Sequence, residues 1–309
     1  MHGLRLGTRG SPLALVQARM VAAAIEAAQG WPDDTVELVT VKTTGDQVQD
    51  RPLAEIGGKA LWTKELDRAL LAGEVDCCVH SMKDVESERP ADIHIAGVLP
   101  RGDARDRLIG PESIDPLSID ALRQGAVVGT SSPRRAAQLL RLRPDLRIVP
   151  LRGNVETRMK KVAAGEIDAT LLACAGLERL GISAGTAIPT EIILPAPAQA
   201  VIGMECRTED SETLGLLAAV SDSAAFACVM AERAFSRALG GTCASPVAAL
   251  ALLEGDDLRM RVQLFNEDGS EMVEDQASFA VGDTSTPETL AQSMLAAAPA
   301  SIRKLFTAA

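Results

Sequence analysis

The hexapeptide HSMKDV, residues 80–85, sets a base and an acid, Lys83 and Asp84, just after the apolar run DCCV. There a buried strand ends and the chain must turn. In an open α/β sheet the carboxyl ends of the strands form the binding edge. A carboxylate among cations stays ionised, and in a water-poor cleft it can stabilise a developing cation or carry a proton. The plainer alternative is a solvated Lys–Asp pair in a surface turn. The basic residues are also unevenly placed: Arg9, Arg134, Arg135, Arg152 and Arg158 all fall at strand-to-helix junctions. Cations in a first helical turn oppose the helix dipole, so Arg134 and Arg135 gain nothing locally. Taken together the arginines point to a ligand with several carboxylates or phosphates, held bidentately, although any one could be solvated or paired with a nearby acid. Cys243, in LGGTCASP, lies in a Gly-rich turn between a helical and an apolar segment. It is either a thiol on a mobile loop or a small core filler. GGKALWTKEL, residues 57–66, reads as a cover that brings Lys59 and Trp62 to the cleft, or as a helix entry with a core aromatic.

The elements that must position these residues repeat. LRLGTRGSPLALVQA and AVVGTSSPRRAAQLL both run from a strand through Gly-Thr to Ser-Pro and an apolar-periodic helix, with Ser11 and Ser132 as N-caps and Pro12 and Pro133 at N1. ALLAGEVDCCVHS and KVAAGEIDATLLA share a helix end, a Gly at 73 or 165, and an unbroken apolar strand of the kind buried on both faces. The expected architecture is therefore two α/β domains around a cleft. PRGDARD, residues 100–106, is the crossing between them. Beyond residue 220, DLRMRVQLF alternates, NEDG turns, EMVEDQASFAV returns, and a helix starts near Thr286-Pro287 and breaks or kinks at Pro299. This is a third, small α+β domain. The expected boundaries are 1–100 with 200–218, 105–194, and 222–309.

Composition removes several function classes. With 309 residues, a net charge of -11, 2% aromatic residues and no Tyr, a stacking platform or basic groove for nucleic acid is not expected. An acidic protein can still hold an anion where its cations converge. No apolar run is long enough to span a membrane and the start lacks the core of a signal peptide, so a cytoplasmic protein is expected. Six cysteines without C-x-x-C spacing and three scattered histidines give no disulfide framework and no metal site.

In order along the chain, LRLGTRGSPLAL, GGKALWTKEL, VHSMKDV, VGTSSPRR, LRGNVETR, ACAGLERLG, IGMECR, AERA and GGTC resemble the motifs of the porphobilinogen deaminase, or hydroxymethylbilane synthase, family. The resemblance covers nearly the whole chain. It implies two periplasmic-binding-protein-like domains enclosing a cleft and a third domain that presents a cysteine. It also implies a monomer that condenses four porphobilinogen molecules head to tail, releases ammonia at each step and hydrolyses off linear hydroxymethylbilane. The implied cofactor is dipyrromethane, attached by a thioether to Cys243, and the implied catalytic residue is Asp84. Lys83, Ser81, Thr130, Ser132, Arg134 and Arg135 are then expected to bind the cofactor, and Arg9, Ser11, Arg152, Arg158 and Arg179 the acetate and propionate groups of the substrate. Loss of ammonia leaves a cationic azafulvene. At an effective dielectric of about 20, a carboxylate about 4 Å away attracts it by roughly 4 kcal/mol, a rate factor near a thousand if the contact exists mainly in the transition state.

The chain departs from the family pattern at several positions: Glu55, Ala60 and Trp62 in the cover, Glu86 after HSMKDV, Pro197, Ala198 and Ala200 in a hinge segment that they stiffen, and Thr242 before the cysteine. The competing reading is a two-lobed binding protein for a small polycarboxylate. It would use the arginines but gains nothing from Asp84 or Cys243.

Overall fold

In the computed structural model, residues 3–43, 62–111, 118–240 and 245–306 are described. The chain divides into two compact units, Met1–Gly102 with Ala200–Phe226, and Asp103–Gln199 with Ala227–Ala309. The first division falls inside PRGDARD, where the polar, turn-rich sequence places it.

In the first unit, β1 (Arg5–Arg9), β2 (Glu37–Val41), β3 (Cys77–Ser81), β4 (Ile93–Val98) and β10 (Ile202–Arg207) form one sheet, ordered β2-β1-β3-β10-β4. β1 runs parallel to β2 and β3, while β10 returns antiparallel between β3 and β4. Successive strand residues point to opposite faces, and here both faces are covered. Cys77 and Val79 pack with Ala18, Val21 and Ile25 of α1 (Pro12–Gln29), whereas Cys78 packs with Leu66 and Leu70 of α2 (Lys64–Leu71). That explains the unbroken apolar run before HSMKDV. Ser11 caps α1 by accepting from Ala14 N at 3.3 Å, with Pro12 as the first helical residue.

The second unit repeats the plan. β5 (Asp106–Ile109), β6 (Val127–Gly129), β7 (Arg147–Val149), β8 (Ala169–Ala173) and β9 (Thr186–Ile188) are ordered β7-β6-β8-β5-β9. Ser132 caps α3 (Pro133–Leu142) at Arg135 N, 3.4 Å, and Asn154 caps α4 (Val155–Ala163) at Thr157 N, 2.9 Å. Leu171 and Leu172 of β8 face opposite cores, the second shared with Leu177 of α5 (Cys174–Arg179). Gly73 and Gly165 both lie just past a helix end with φ of 69° and 71°, the left-handed conformation that a Cβ disfavours.

The same unit holds the antiparallel sheet β11 (Val247–Glu254), β12 (Asp257–Phe265), β13 (Met272–Ala280). Leu258, Met260, Val262 and Leu264, the alternating set of β12, are all buried against α7 (Ser223–Leu239) and α8 (Ser285–Ala297). α8 begins at Ser285, one residue before the expected Thr286, and stops at Ala298; Pro299 breaks the helix before a last short turn, α9 (Ala300–Arg303). A smaller cluster of Ala137, Leu194, Ala248, Leu250 and Phe265 joins this sheet to α3. α6 (Ser211–Ala218) completes the elements, and no single helix among the described residues is long and apolar enough to cross a membrane.

The hinge segment is strained. Ala198 and Ala200 adopt φ of 59° and 72°. An L-residue with a Cβ pays roughly 1–2 kcal/mol for that conformation. Fixed contacts hold it: Ala198 N donates to the buried carboxylate of Glu232, which also accepts from Ala251 N at 2.7 Å, and Gln199 Nε2 donates to Ala104 O at 2.7 Å and Asp106 Oδ1 at 2.9 Å.

Candidate active site

Strand β3 ends at Ser81, and the next residues, Met82–Asp84, form a single 3₁₀ turn. Met82 is buried beneath it, and Asp84 is half-buried in a cavity that Arg9, Ser11, Gln17, Trp62, His80 and Ser81 also line. β1 and β3 are parallel neighbours, so the chain leaves both on the same edge and brings Arg9 and Ser11 beside Ser81 and Asp84. The Arg9 guanidinium stacks over the Trp62 ring, 4.1 Å from its centroid, a cation–π contact worth about 0.5–2 kcal/mol depending on desolvation. The Asp84 carboxylate makes no hydrogen bond or ion pair among the described residues. Lys83 beside it is half-buried.

Gln17 escaped the sequence reading. It is buried, and its amide bonds Ser81 Oγ, with Nε2 donating at 2.8 Å. The signal was available: Ala14, Gln17, Ala18 and Val21 form one apolar-periodic stripe, and Gln17 is its polar member. His80 and Glu205 were also missed. His80 Nε2 lies 3.1 Å from Glu205 Oε2, and Arg89 grips the same carboxylate twice, at 2.8 Å each. Burial alone would raise Glu205, but His80 and Arg89 outweigh it and hold the carboxyl down to about 2. Their pairing crosses from β3 to β10, elements more than a hundred residues apart, and no local pattern reports it.

In the second unit, parallel β6 and β7 deliver their loops side by side. Thr130 N donates to Val149 O at 2.9 Å, Ser131 Oγ donates to Leu151 O at 2.9 Å, and Thr130 Oγ1 accepts from Ser132 N at 3.1 Å. Arg152 directly follows Leu151, which Ser131 holds by hydrogen bonds in both directions. Arg158 Nε donates to Gly153 O at 2.9 Å. Arg179 is at the far end of α5 rather than at a strand end, and burial lowers its pKa.

Arg134 and Arg135 have a partner that the sequence did not reveal. Both are buried on Asp106, itself fully buried: Arg134 Nη2 donates to Oδ2 at 2.7 Å and Arg135 Nη2 to Oδ1 at 2.6 Å. Burial would raise the Asp106 carboxyl, but the two guanidiniums hold it far below the usual carboxylate range. Their unfavourable position at a helix start is thus offset by a tertiary contact, and the triad keeps a net charge of one positive unit.

The residues present fit a carboxylate-bearing group. Arg134 Nε and Arg152 Nη1 are buried donors without a hydrogen-bond partner among the described residues, and a polycarboxylate supplies such acceptors. Cys243 and Lys59 lie outside the described residues, as do Glu55, Ala60 and Thr242. The five described cysteines are all buried, and burial raises Cys77 and Cys78 strongly and Cys174 and Cys206 to about 11. These four are not ready thiolate nucleophiles. Among the described residues no group of three His, Cys, Asp or Glu is placed to hold a metal.

Residues 4–215 match the family model described as "Porphobilinogen deaminase, dipyromethane cofactor binding domain", and residues 226–298 match "Porphobilinogen deaminase, C-terminal domain". The chain belongs to the porphobilinogen deaminase family. The porphobilinogen deaminase of Sphingopyxis alaskensis is 53% identical over 305 residues, covering 98% of this chain and 96% of that one. That of Paracoccus denitrificans is 48% identical over 301 residues, 96% and 95% of the two chains. The solved structures that match include the periplasmic VFT2 domain of Bordetella pertussis BvgS, at 17% identity and a TM-score of 0.43 over 71% of this chain and 87% of that one. Membership in the porphobilinogen deaminase family makes the chain a transferase and sets aside the binding-protein alternative.

Proposed function

We propose that the chain condenses four porphobilinogen molecules head to tail, with loss of ammonia at each, and releases linear hydroxymethylbilane by hydrolysis, using a dipyrromethane group held by thioether on Cys243. The observation that carries the reading is Asp84: a half-buried carboxylate, without a partner among the described residues, in a cavity walled by Arg9, Ser11 and Ser81. An acid so placed is kept for something that arrives.

The dipyrromethane, when bound, supplies the pyrrole carbon to which the first substrate is joined. Lys83, Ser81, Thr130, Ser132, Arg134 and Arg135 would hold its carboxylates, with Arg134 and Arg135 positioned by Asp106 so that their remaining N–H groups stay oriented. Arg9, Ser11, Arg152, Arg158 and Arg179 would take the acetate and propionate of incoming porphobilinogen. Trp62 stacks on the Arg9 guanidinium, and Lys59 is assigned with it to the cover. Asp84 accepts the pyrrole N–H. As the aminomethyl C–N bond breaks and ammonia leaves, the carboxylate faces the developing cation; after the new C–C bond forms, it takes the ring proton whose loss restores aromaticity.

We read the second unit as two domains, 105–194 and 222–309, because each has its own sheet and apolar cluster, with 1–100 and 200–218 as the first domain. The family resemblance suggests a monomer in the cytoplasm, and the acidic charge and sparse aromatics disfavour a nucleic-acid partner. Asp84→Asn tests the central role: turnover should fall about a thousandfold with the melting temperature unchanged. Near-normal turnover in that variant would contradict it.

A further inference from the structure

Thr63 is the N-cap residue of α2, yet its hydroxyl makes no cap hydrogen bond to its own helix. A threonine at that position ordinarily accepts from the N2 or N3 amide, a contact worth about 1 kcal/mol. Here Thr63 Oγ1, fully buried, donates to Glu86 Oε2 at 2.9 Å. Such a departure from the local rule calls for a compensating purpose. The bond joins two short segments. On one side Thr63 directly follows Trp62, whose ring carries the Arg9 guanidinium; on the other, Glu86 is two residues past Asp84. Trp62, Arg9 and Asp84 line the same cavity.

Arg89 holds the bond from behind. Its Nη1 donates to Glu86 Oε2 at 3.0 Å, its Nη2 to Asp67 of α2 at 2.5 Å, and its Nε and Nη2 to Glu205 of β10. It is nearly buried, so its hydrogen bonds are held in one geometry. One guanidinium thus ties the helix that follows Trp62, the turn that follows Asp84, and the strand beside β3.

We propose that Thr63 and Glu86 form a latch, held by Arg89, that fixes Trp62, and through it the Arg9 guanidinium, relative to the Asp84 turn. Thr63 is a positioning residue for the carboxylate-binding side of the cavity. This rests on the reading above that Arg9 receives a substrate carboxylate. Losing a hydrogen bond to a charged acceptor shifts such an equilibrium by about tenfold or more.

The test uses the full-length protein with Trp31→Phe, leaving Trp62 as the sole tryptophan, since the chain has two. Thr63→Val and Glu86→Leu should each raise acrylamide quenching of Trp62 in the absence of substrate. Each should also raise KM for porphobilinogen about tenfold with kcat changed less than about twofold. Thr63→Ser and Glu86→Gln, which keep donor and acceptor, should restore both readouts. Glu86 is partly exposed, so its variants keep the latch testable if Thr63→Val does not fold. Unchanged quenching in Glu86→Leu, or equal impairment in the leucine and glutamine variants, overturns the latch. Quenching that rises while KM stays constant overturns the positioning role. If the parent itself does not turn over porphobilinogen, the functional reading fails while the quenching arm still decides the latch.

Discussion

Asp106→Asn should destabilise the second unit far more than an ordinary surface substitution. Asp106 is fully buried and receives Arg134, Arg135 and Gln199 at 2.6–2.9 Å. The asparagine is nearly isosteric and keeps one acceptor, so the change removes charge rather than volume. It leaves two buried guanidiniums facing each other with no anion between them. Removing one partner of a buried ion pair costs about 3–5 kcal/mol. For a domain of about 90 residues such as 105–194, a loss of about 4 kcal/mol lowers the melting midpoint by roughly 20 °C. Differential scanning calorimetry reads this directly. A midpoint within about 3 °C of the parent would refute the reasoning, because it would mean that the triad is not electrostatically coupled. Replacing all three residues by apolar ones of similar volume should recover much of the stability, since well-packed apolar groups match a buried ion triad. That variant should nonetheless bind no cofactor, which separates the fold's use of the arginines from the site's.

Glu205 gives a pH signature. It stays ionised in the fold down to about 2, against 4.5 ordinarily, so its contribution is complete above the ordinary value and is lost as pH falls between the two. Urea unfolding of the parent and Glu205→Gln should therefore show a stability gap at neutral pH that closes between about pH 4.5 and 2; a pH-independent gap would contradict the pairing with His80 and Arg89. Ala198→Gly and Ala200→Gly should each stabilise by roughly 0.5–1 kcal/mol, the relief of left-handed strain less the added entropy of the unfolded chain. Destabilisation in both, measured by the same unfolding curves, would show that the backbone there is not strained.

Much of the architecture was legible in the sequence because it is encoded locally. Ser-Pro before an apolar-periodic stretch gave both helix starts, Gly73 and Gly165 gave helix ends, and Leu258, Met260, Val262 and Leu264 gave the face of β12. The cavity was legible in part: parallel strands end on one edge, so Arg9, Ser11, Ser81 and Asp84 could be grouped from their positions alone. The buried pairings were not. Asp106 with Arg134 and Arg135, and Glu205 with His80 and Arg89, join residues whose separation in the chain carries no periodic mark. Arg134 and Arg135 could be seen to lack a local reason, but the missing partner was supplied by a strand from elsewhere. Glu86 looked like a simple departure from the family pattern until Thr63 and Arg89 were found on it.

The measurement that bears most directly on the proposed chemistry is the intact mass of the purified protein, followed by peptide mapping of residues 240–246. A mass increase of two linked pyrrole units, localised to Cys243 and absent from Cys243→Ser, is the predicted result. An unmodified mass from protein that turns over porphobilinogen, or an adduct that survives Cys243→Ser, would contradict the account.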